Sequence, residues 1–493
     1  MPLPRRTLLL ASSLAVCALS AQDDWLSLFD GKTLDGWKAS ENPGSPRVED
    51  GMIVCEGKRA HLFYVGPDGN AEFENFELEV EVKTDPGANS GVYFLTKWQD
   101  SGWPAEGFEA QVNNTQPTFK EYDYRENKKT ASLYGIRNLY KPLVQDGAWF
   151  TMNVKVTRPR VQIRLNGRLV SDYIEPANPV LPSPGPKLNL LGKGTFALQC
   201  HDIESRAYFR NIRVRRLPPG EDSSVTRPVL DEQDLRRLAL GKDNFPIVNL
   251  RVQAGGPLGV AELEALRTRT GIFPGVTYRL NDFARKRSDA PARASIAALK
   301  DAPVFVGLDV SRTGKIEVGF GSPRLSLEAQ ANFDYLTATT GVKALLGTSS
   351  KPLDPTGAQA LMEEQVLVMT EIIAMEPIDV FANVMVLPDP LAALAGELWT
   401  EERMQRVIAA AAKHGVAFEI NLRERTPSER FIKLAKAATV KFTFGSDTTT
   451  AENYGDWSYA LEMQKACGLT WKDMWVPGHA PTRAQREWAK HQP

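Results

Sequence analysis

The sequence predicts two folded bodies of different class, an all-β sandwich over residues 25–217 and an alternating α/β barrel over residues 231–493. Three observations carry this. Up to residue 217 the apolar residues recur every second position in many short segments, with no stretch of helical period between them. Residues 217–228 (LPPGEDSSVTRP) are then rich in proline, serine and charge, which reads as a linker, assigned to residues 218–230. Beyond it, apolar runs of strand length alternate with amphipathic runs of helix length, the rhythm of a parallel sheet. A chain of 493 residues is also too long for one ordinary domain.

Residues 1–21 carry a basic pair, Arg5 and Arg6, an apolar run over 8–19 and the small residues Ser20 and Ala21. This is the pattern of a secretory leader cut near residue 21, and it predicts an exported protein, periplasmic or extracellular. A buried helix or membrane anchor is the alternative, but the apolar run is shorter than the ~20 residues a span needs. In the sandwich, residues 76–83 (FELEVEVK) alternate apolar and charged side chains through eight positions. Residues 92–94, 108–112, 150–156 and 161–165 continue the pattern, and Asn166-Gly167 marks a tight hairpin. Residues 194–217 close the domain as two strands joined by a polar turn. The first sets Phe196, Leu198 and Cys200 on one face and Gln199 with His201 on the other.

In the barrel, strands are expected at 245–252, 275–280, 304–310, 379–386, 417–421 and 441–444. Helices are expected at 260–269, 292–299, 356–375, 400–413 and 428–437. Such a fold keeps its chemistry at the carboxyl ends of its strands.

The composition excludes some roles. With 24% charged residues, a net charge of −1 and five scattered histidines, nothing favours a nucleic-acid partner, and no segment after the leader is long and apolar enough to span a membrane. Cys55, Cys200 and Cys467 remain after the leader. Cys55 and Cys200 are the one pair within a domain, and two readings stay open for them, a disulfide or buried thiols.

Six stretches in order, LFDGKTLDGW (28–37), ANSGVYF (88–94), GFEAQV (107–112), TASLYG (130–135), RLNGRLV (164–170) and LQCH followed by FRNIRV (198–214), resemble the 3-keto-disaccharide hydrolase family. The resemblance implies a concanavalin-like jelly roll that acts on a saccharide. Glu109 and Gln111 oppose Phe108, Ala110 and Val112, just as Gln199 and His201 oppose Leu198 and Cys200. In one sheet, these four would converge. That cluster suits a keto-sugar: a ketone at C3 acidifies the C2 hydrogen, so a base can remove it and the glycosidic oxygen then leaves. Glu109 or His201 is the candidate base or acid. Gln111, Gln199 and Asn89 are expected to orient hydroxyls, and Trp98, Trp103, Tyr122, Tyr124 and Tyr134 to supply rings for stacking. A glycan-binding module without turnover is the alternative. No cofactor is expected; whether a structural calcium ion braces the sandwich is left open.

The barrel's strand ends, VNLRVQ (248–253), GLDVS (307–311), FEINLRE (418–424) and GSDTT (445–449), resemble the PHP family of metal-dependent phosphoesterases, which are distorted seven-stranded barrels. Asp309, Glu419 and Asp447 stand at matching positions, but Arg251 and Gln253 replace two histidines and Thr449 a third. A permanent cation at Arg251 predicts a site without metal, in which Arg251 pairs with Glu419 or Asp447.

Overall fold

The computed structural model describes residues 24–69, 71–116, 124–180, 189–255, 258–284, 288–311, 325–340, 354–387, 389–451, 454 and 456–492. The expected leader and Tyr122 lie outside these residues.

The first body is built from β1 (Leu26–Ser27), β2 (Trp37–Ala39), β3 (Pro46–Glu49), β4 (Met52–Glu56), β5 (Ala60–Tyr64), β6 (Phe76–Thr84), β7 (Asn89–Thr96), β8 (Phe108–Asn113), β9 (Phe150–Thr157), β10 (Arg160–Leu165), β11 (Arg168–Ile174), β12 (Thr195–Cys200) and β13 (Arg206–Arg216). They pair in antiparallel fashion into two sheets. One runs β11-β10-β9-β6-β13-β4-β3 with β1 beside β13, the other β2-β5-β12-β7-β8. The apolar sets of both sheets meet in one core, where the rings of Phe73, Phe76, Phe94 and Phe196 pack edge to face or tilted. Sandwich packing therefore follows directly from the period of two.

The two sheets differ on their outer faces. In the first, β6 alternates buried and half-buried residues, and Glu77, Glu79 and Glu81 pair across the strand boundary with Arg215, Arg213 and Arg210. That face is solvated. In the second, β7, β8 and β12 are buried on both faces although their sequences alternate, so their polar face is covered.

Cys55 and Cys200 are buried thiols, which resolves the choice left open in their favour. Residues 218–230 are a strap rather than a loose tether. Asn75 donates to the Pro218 and Gly220 carbonyls, Asp222 N–H donates to Arg158, Ala177 N–H to Pro228, and Arg227 pairs with Glu175 and Glu221.

The second body contains β14 (Val248–Gln253), β15 (Phe273–Arg279), β16 (Phe305–Asp309), β17 (Tyr335–Ala338), β18 (Val380–Phe381), β19 (Ala417–Asn421) and β20 (Phe442–Gly445), parallel and hydrogen-bonded in chain order. A bridge from Val252 to Thr448 brings the last strand back to the first, so the barrel is nearly closed. Thr400 and Ser428, expected inside helices, are instead their N-caps, accepting from the N–H groups of Arg403 and Phe431. The strand expected at 379–386 is paired only over Val380–Phe381. The expectations missed β17 and the helices Glu232–Lys242 and Trp457–Cys467.

The two bodies share a buried seam. Tyr140 packs edge-on against Phe273, its hydroxyl accepts from Ile247 N–H at 3.0 Å, and Val248, Leu250, Phe305, Tyr335 and Val476 join the sandwich core. Lys128 reaches Asn244, Arg137 the Thr268 and Arg269 carbonyls, and Lys141 Asp334 and the Val304 carbonyl. Asn244, Thr268, Val304 and Asp334 all precede strands of a parallel barrel. The sandwich therefore closes the barrel's amino end, and the carboxyl end faces away from it.

His479 sits at this seam, its carbonyl accepting from Arg125. Burial, reinforced by the Arg125 and Lys129 charges, pulls its imidazole down to about 3. Because the folded value lies below the ordinary one near 6.5, the unfolded chain binds the extra proton first. The resulting contribution to stability is intact above about pH 6.5 and declines as pH falls toward 3. Thermal unfolding measured from pH 7 to pH 5 is expected to show a falling midpoint, with a shallower fall in His479→Phe; equal slopes would contradict this assignment.

Candidate functional site

The site lies on the covered face of the second sheet. Alternation sends Phe63 and His61 of β5, Ala197 and Gln199 of β12, Asn89, Gly91 and Tyr93 of β7, and Glu109 and Gln111 of β8 to this side. Register does the rest: Gln199 stands opposite His61, Ala197 opposite Tyr93, and Tyr93 opposite Glu109. Trp98 packs on Phe63, and Trp103 lies against both His61 and His201. Residues 130–134 extend the sheet beyond β8, the Tyr134 N–H donating to the Glu109 carbonyl.

Glu109 is 5% exposed. Its carboxylate accepts from the Tyr93 hydroxyl at 2.7 Å and from the Gln199 amide at 3.3 Å. Burial pushes the Tyr93 phenol well above its ordinary value, and the Glu109 charge adds to the effect, so Tyr93 stays protonated and donates. Gln111 donates to Asn89, which donates in turn to Gln116. Gln111 and Gln199 each keep a buried amide oxygen with no hydrogen-bond partner among the described residues, the kind of acceptor a sugar hydroxyl satisfies.

His201 lies one residue beyond β12. Its Nδ1 is 2.6 Å from the Asp202 carboxylate, which also accepts from the Ser205 hydroxyl and the Glu204 N–H. Burial works against the Asp202 charge, but the hydrogen bond and charge of His201 hold its carboxyl below the ordinary range. A carboxylate can only accept, so the proton is fixed on Nδ1 and Nε2 is left as the base. The His201 side chain remains 21% exposed. The structure thus brings Glu109 and His201 to one face of one sheet, joined through Gln199, Tyr93, His61 and Trp103 and not by a direct bond.

The aromatic expectations divide. Trp103 is 43% exposed, with Arg59 over its ring. Trp98 is half-buried beneath Lys38. Tyr134 and Tyr124 turn their hydroxyls onto Glu126, at 2.9 and 2.8 Å.

Glu126 is the residue that sequence reasoning missed. It is 2% exposed and is also held by the Lys128 amide and ammonium. Burial alone pushes its carboxyl up, yet Lys128 and the phenols hold it below the usual value, so it is a second buried anion beside Glu109. The signal available was only spacing: Tyr124, Glu126 and Lys128 lie two apart before the TASLYG stretch.

Gly91 explains how Glu109 fits. A Cβ there would stand 2.6 Å from Glu109 Oε1, a clash that only the carboxylate's displacement relieves. Gly91→Ala is therefore expected to fold while displacing the Glu109 carboxylate, and to lose at least tenfold in any turnover that depends on this face. Unchanged turnover would show that Glu109's placement is immaterial.

At the far end of the barrel, Arg251 donates to Glu419 at 2.9 Å and pairs with Asp447 at 3.1 Å, and Gln253 donates to Asp447 at 2.7 Å. Arg251 and Glu419 are 4% and 1% exposed; Asp309 is buried nearby and Thr449 is exposed. A guanidinium occupies the space between the carboxylates, so these residues do not fit a metal ion. Among the described residues, no group of three or more His, Cys, Asp or Glu is placed to hold one. No helix among them is long and apolar enough to cross a membrane.

Residues 24–215 match the family of 3-keto-alpha-glucoside-1,2-lyase-like domains. An 82-residue stretch is 35% identical to a 3-keto-disaccharide hydrolase of Bacteroides thetaiotaomicron, covering 15% of this chain and 28% of that protein. Among solved structures, a Parabacteroides distasonis protein provisionally described as a glycosyl hydrolase aligns at 24% identity, with a TM-score of 0.34 over 39% of this chain and 94% of that one. The carbohydrate-binding module CBM66 of Bacillus subtilis aligns at 16% identity and a TM-score of 0.25, over 37% of this chain and 98% of that module.

Proposed function

We propose that the sandwich hydrolyses a 3-keto-glycoside by elimination and hydration, in a protein that is exported. The observation that carries the reading is the oriented His201–Asp202 pair sharing a sheet face with Glu109, Tyr93 and the unsatisfied oxygens of Gln111 and Gln199. The family match and the B. thetaiotaomicron relative supply the substrate class, and the leader pattern of residues 1–21 supplies the location.

In this mechanism His201 Nε2 takes the C2 proton, leaving an enolate whose oxygen is held by an amide donor. The C1–O bond then breaks, the leaving alcohol takes the proton that Nε2 removed, which restores the neutral imidazole, and an enone remains. Water then adds its oxygen to C1 and gives its proton, through Nε2, to C2, so the net reaction is hydrolysis. Glu109 anchors the donors Tyr93 and Gln199, and its fixed negative charge keeps the proton economy of the site in balance as the imidazolium forms. Trp103 offers the sugar a ring face beside His201.

Incubation with a 3-keto-disaccharide should release the keto-monosaccharide, whereas the unoxidised disaccharide, lacking an acidic C2 hydrogen, should stay intact. Release from both, or from neither, would refute the mechanism. The exposed Trp103 favours a second reading, a glycan-binding module, which saturable binding without release would establish.

For the barrel we infer a metal-free relative of the PHP phosphoesterases in which Arg251 supplies the positive charge. Stoichiometric zinc, manganese or iron in the purified protein would overturn this.

A further inference from the structure

We propose that the barrel braces the sandwich's site, holding the segment 124–141 in the conformation that brings Tyr124, Glu126 and Tyr134 to Glu109. That segment has no helix or long strand of its own to fix it; it joins the sandwich through short bridges at residues 130–137 and through Asn113, whose amide donates to the Glu126 and Lys128 carbonyls. Further anchors come from the barrel. Trp471 packs edge-on against Tyr124 with ring centroids 5.6 Å apart. Lys128, while paired with Glu126, donates to Asn244 at 2.7 Å. Arg137 donates to the Thr268 and Arg269 carbonyls at 2.6 and 2.9 Å, and Tyr140 and Lys141 add the contacts to Ile247 and Asp334. Barrel contacts are thus distributed along the whole segment, from its first residue to its last.

The energetic argument is one of conformational entropy. Eighteen residues with little regular structure cost on the order of 1–2 kcal/mol each to order, and the barrel contacts add to what the bridges, the Asn113 hydrogen bonds and the buried Leu133 and Leu139 offset. Arg137 donates to carbonyls in the last turn of the helix Val260–Thr270, a charge-assisted contact stronger than a neutral one. Burial pulls its guanidinium down to about 10, which still leaves it charged at neutral pH. Glu126 depends on the brace most. Its carboxylate is stabilised in the buried site by Lys128 and two phenols, and both Lys128 and Tyr124 touch the barrel. Lys128, Arg137, Tyr140 and Trp471 are accordingly positioning residues. The part of this inference that concerns turnover rests on the proposed function; the bracing itself does not.

The test uses the full chain, with Arg137→Ala, Trp471→Ala and the conservative Trp471→Phe. Arg168→Ala serves as a control, since it breaks an exposed cross-domain ion pair with Glu264 outside the segment. Hydrogen exchange read by mass spectrometry over residues 126–139 is expected to quicken at least tenfold in Arg137→Ala and Trp471→Ala. Peptides from β6 and β9 should keep wild-type protection, and Trp471→Phe and Arg168→Ala should match wild type. With a 3-keto-disaccharide, the two loosened variants should lose about tenfold in kcat with a smaller change in KM. Wild-type exchange rates in both loosened variants, or equal loosening of β6 and β9, would overturn the brace. Should the wild-type protein release no keto-sugar, only the proposed function falls, because the exchange measurement still decides the brace.

Discussion

His201→Ala is expected to lower kcat/KM on a 3-keto-disaccharide by about 10²–10⁴-fold, the range a positioned proton-transfer group supplies. The loss should fall on kcat, since removing an imidazole deletes the base and leaves Trp103, Gln111 and Gln199 to bind the sugar. Added imidazole should restore part of the rate. Asp202→Asn should act in the same direction for a different reason. An asparagine amide can donate to Nδ1, which moves the ring proton to Nε2 and disables the base without removing it. Glu109→Gln keeps the shape of the buried side chain but removes its charge, and a loss of the same order is expected. Steady-state kinetics of the three variants, with thermal unfolding to confirm that each is folded, check these expectations. If all three retain wild-type kcat, the proton chemistry does not reside on this face.

The second large effect lies at the other end of the molecule. Arg251→Met should destabilise the barrel by about 3–5 kcal/mol, because it leaves Glu419 as an uncompensated buried charge. Burial already pushes the Glu419 carboxyl up, and Arg251 is the main influence pulling it back. Without the guanidinium, Glu419 should take up a proton in the folded state more readily than in the unfolded one. A folded value raised above the unfolded one contributes stability at low pH that is lost as pH rises, so Arg251→Met should regain part of its stability on acidification. Arg251→Met combined with Glu419→Gln should cost clearly less than Arg251→Met alone, and denaturant unfolding of the two singles and the double measures the coupling. Simple additivity would mean that the pair does not hold the barrel together.

Much of this architecture was legible in the sequence. Alternation in FELEVEVK and LQCH set which side chains leave the core, and the register of β12, β7 and β8 then brought Gln199 next to Glu109. The expected pairing of Arg251 resolved to both Glu419 and Asp447, since the guanidinium has donors for two carboxylates. What stayed hidden depends on contacts distant in the chain. Glu126 carries no local signal; its role arises from Lys128, two phenols and the barrel's Asn244, which lies 116 positions beyond Lys128. Alternation also gave no hint that the polar face of the second sheet is covered, because Trp98 and Trp103, which pack over Phe63 and His61, come from outside the strands. The strand β17 escaped because Tyr335 to Ala338 is too short for a period to register and is buried throughout. Composition marked residues 218–230 as a linker and no more. Its order comes from Asn75, Arg158 and Glu175, which composition does not reveal.

The most direct test of the mechanism is turnover of a 3-keto-disaccharide in deuterium oxide, followed by mass and NMR analysis of the keto-monosaccharide at early times, with product incubated without protein as the reference. Removal of the C2 proton, loss of the alcohol and addition of solvent predict one deuterium at C2 per turnover, above the reference. Product that forms with protium retained at C2 would contradict proton abstraction at that carbon, and with it the role assigned to His201.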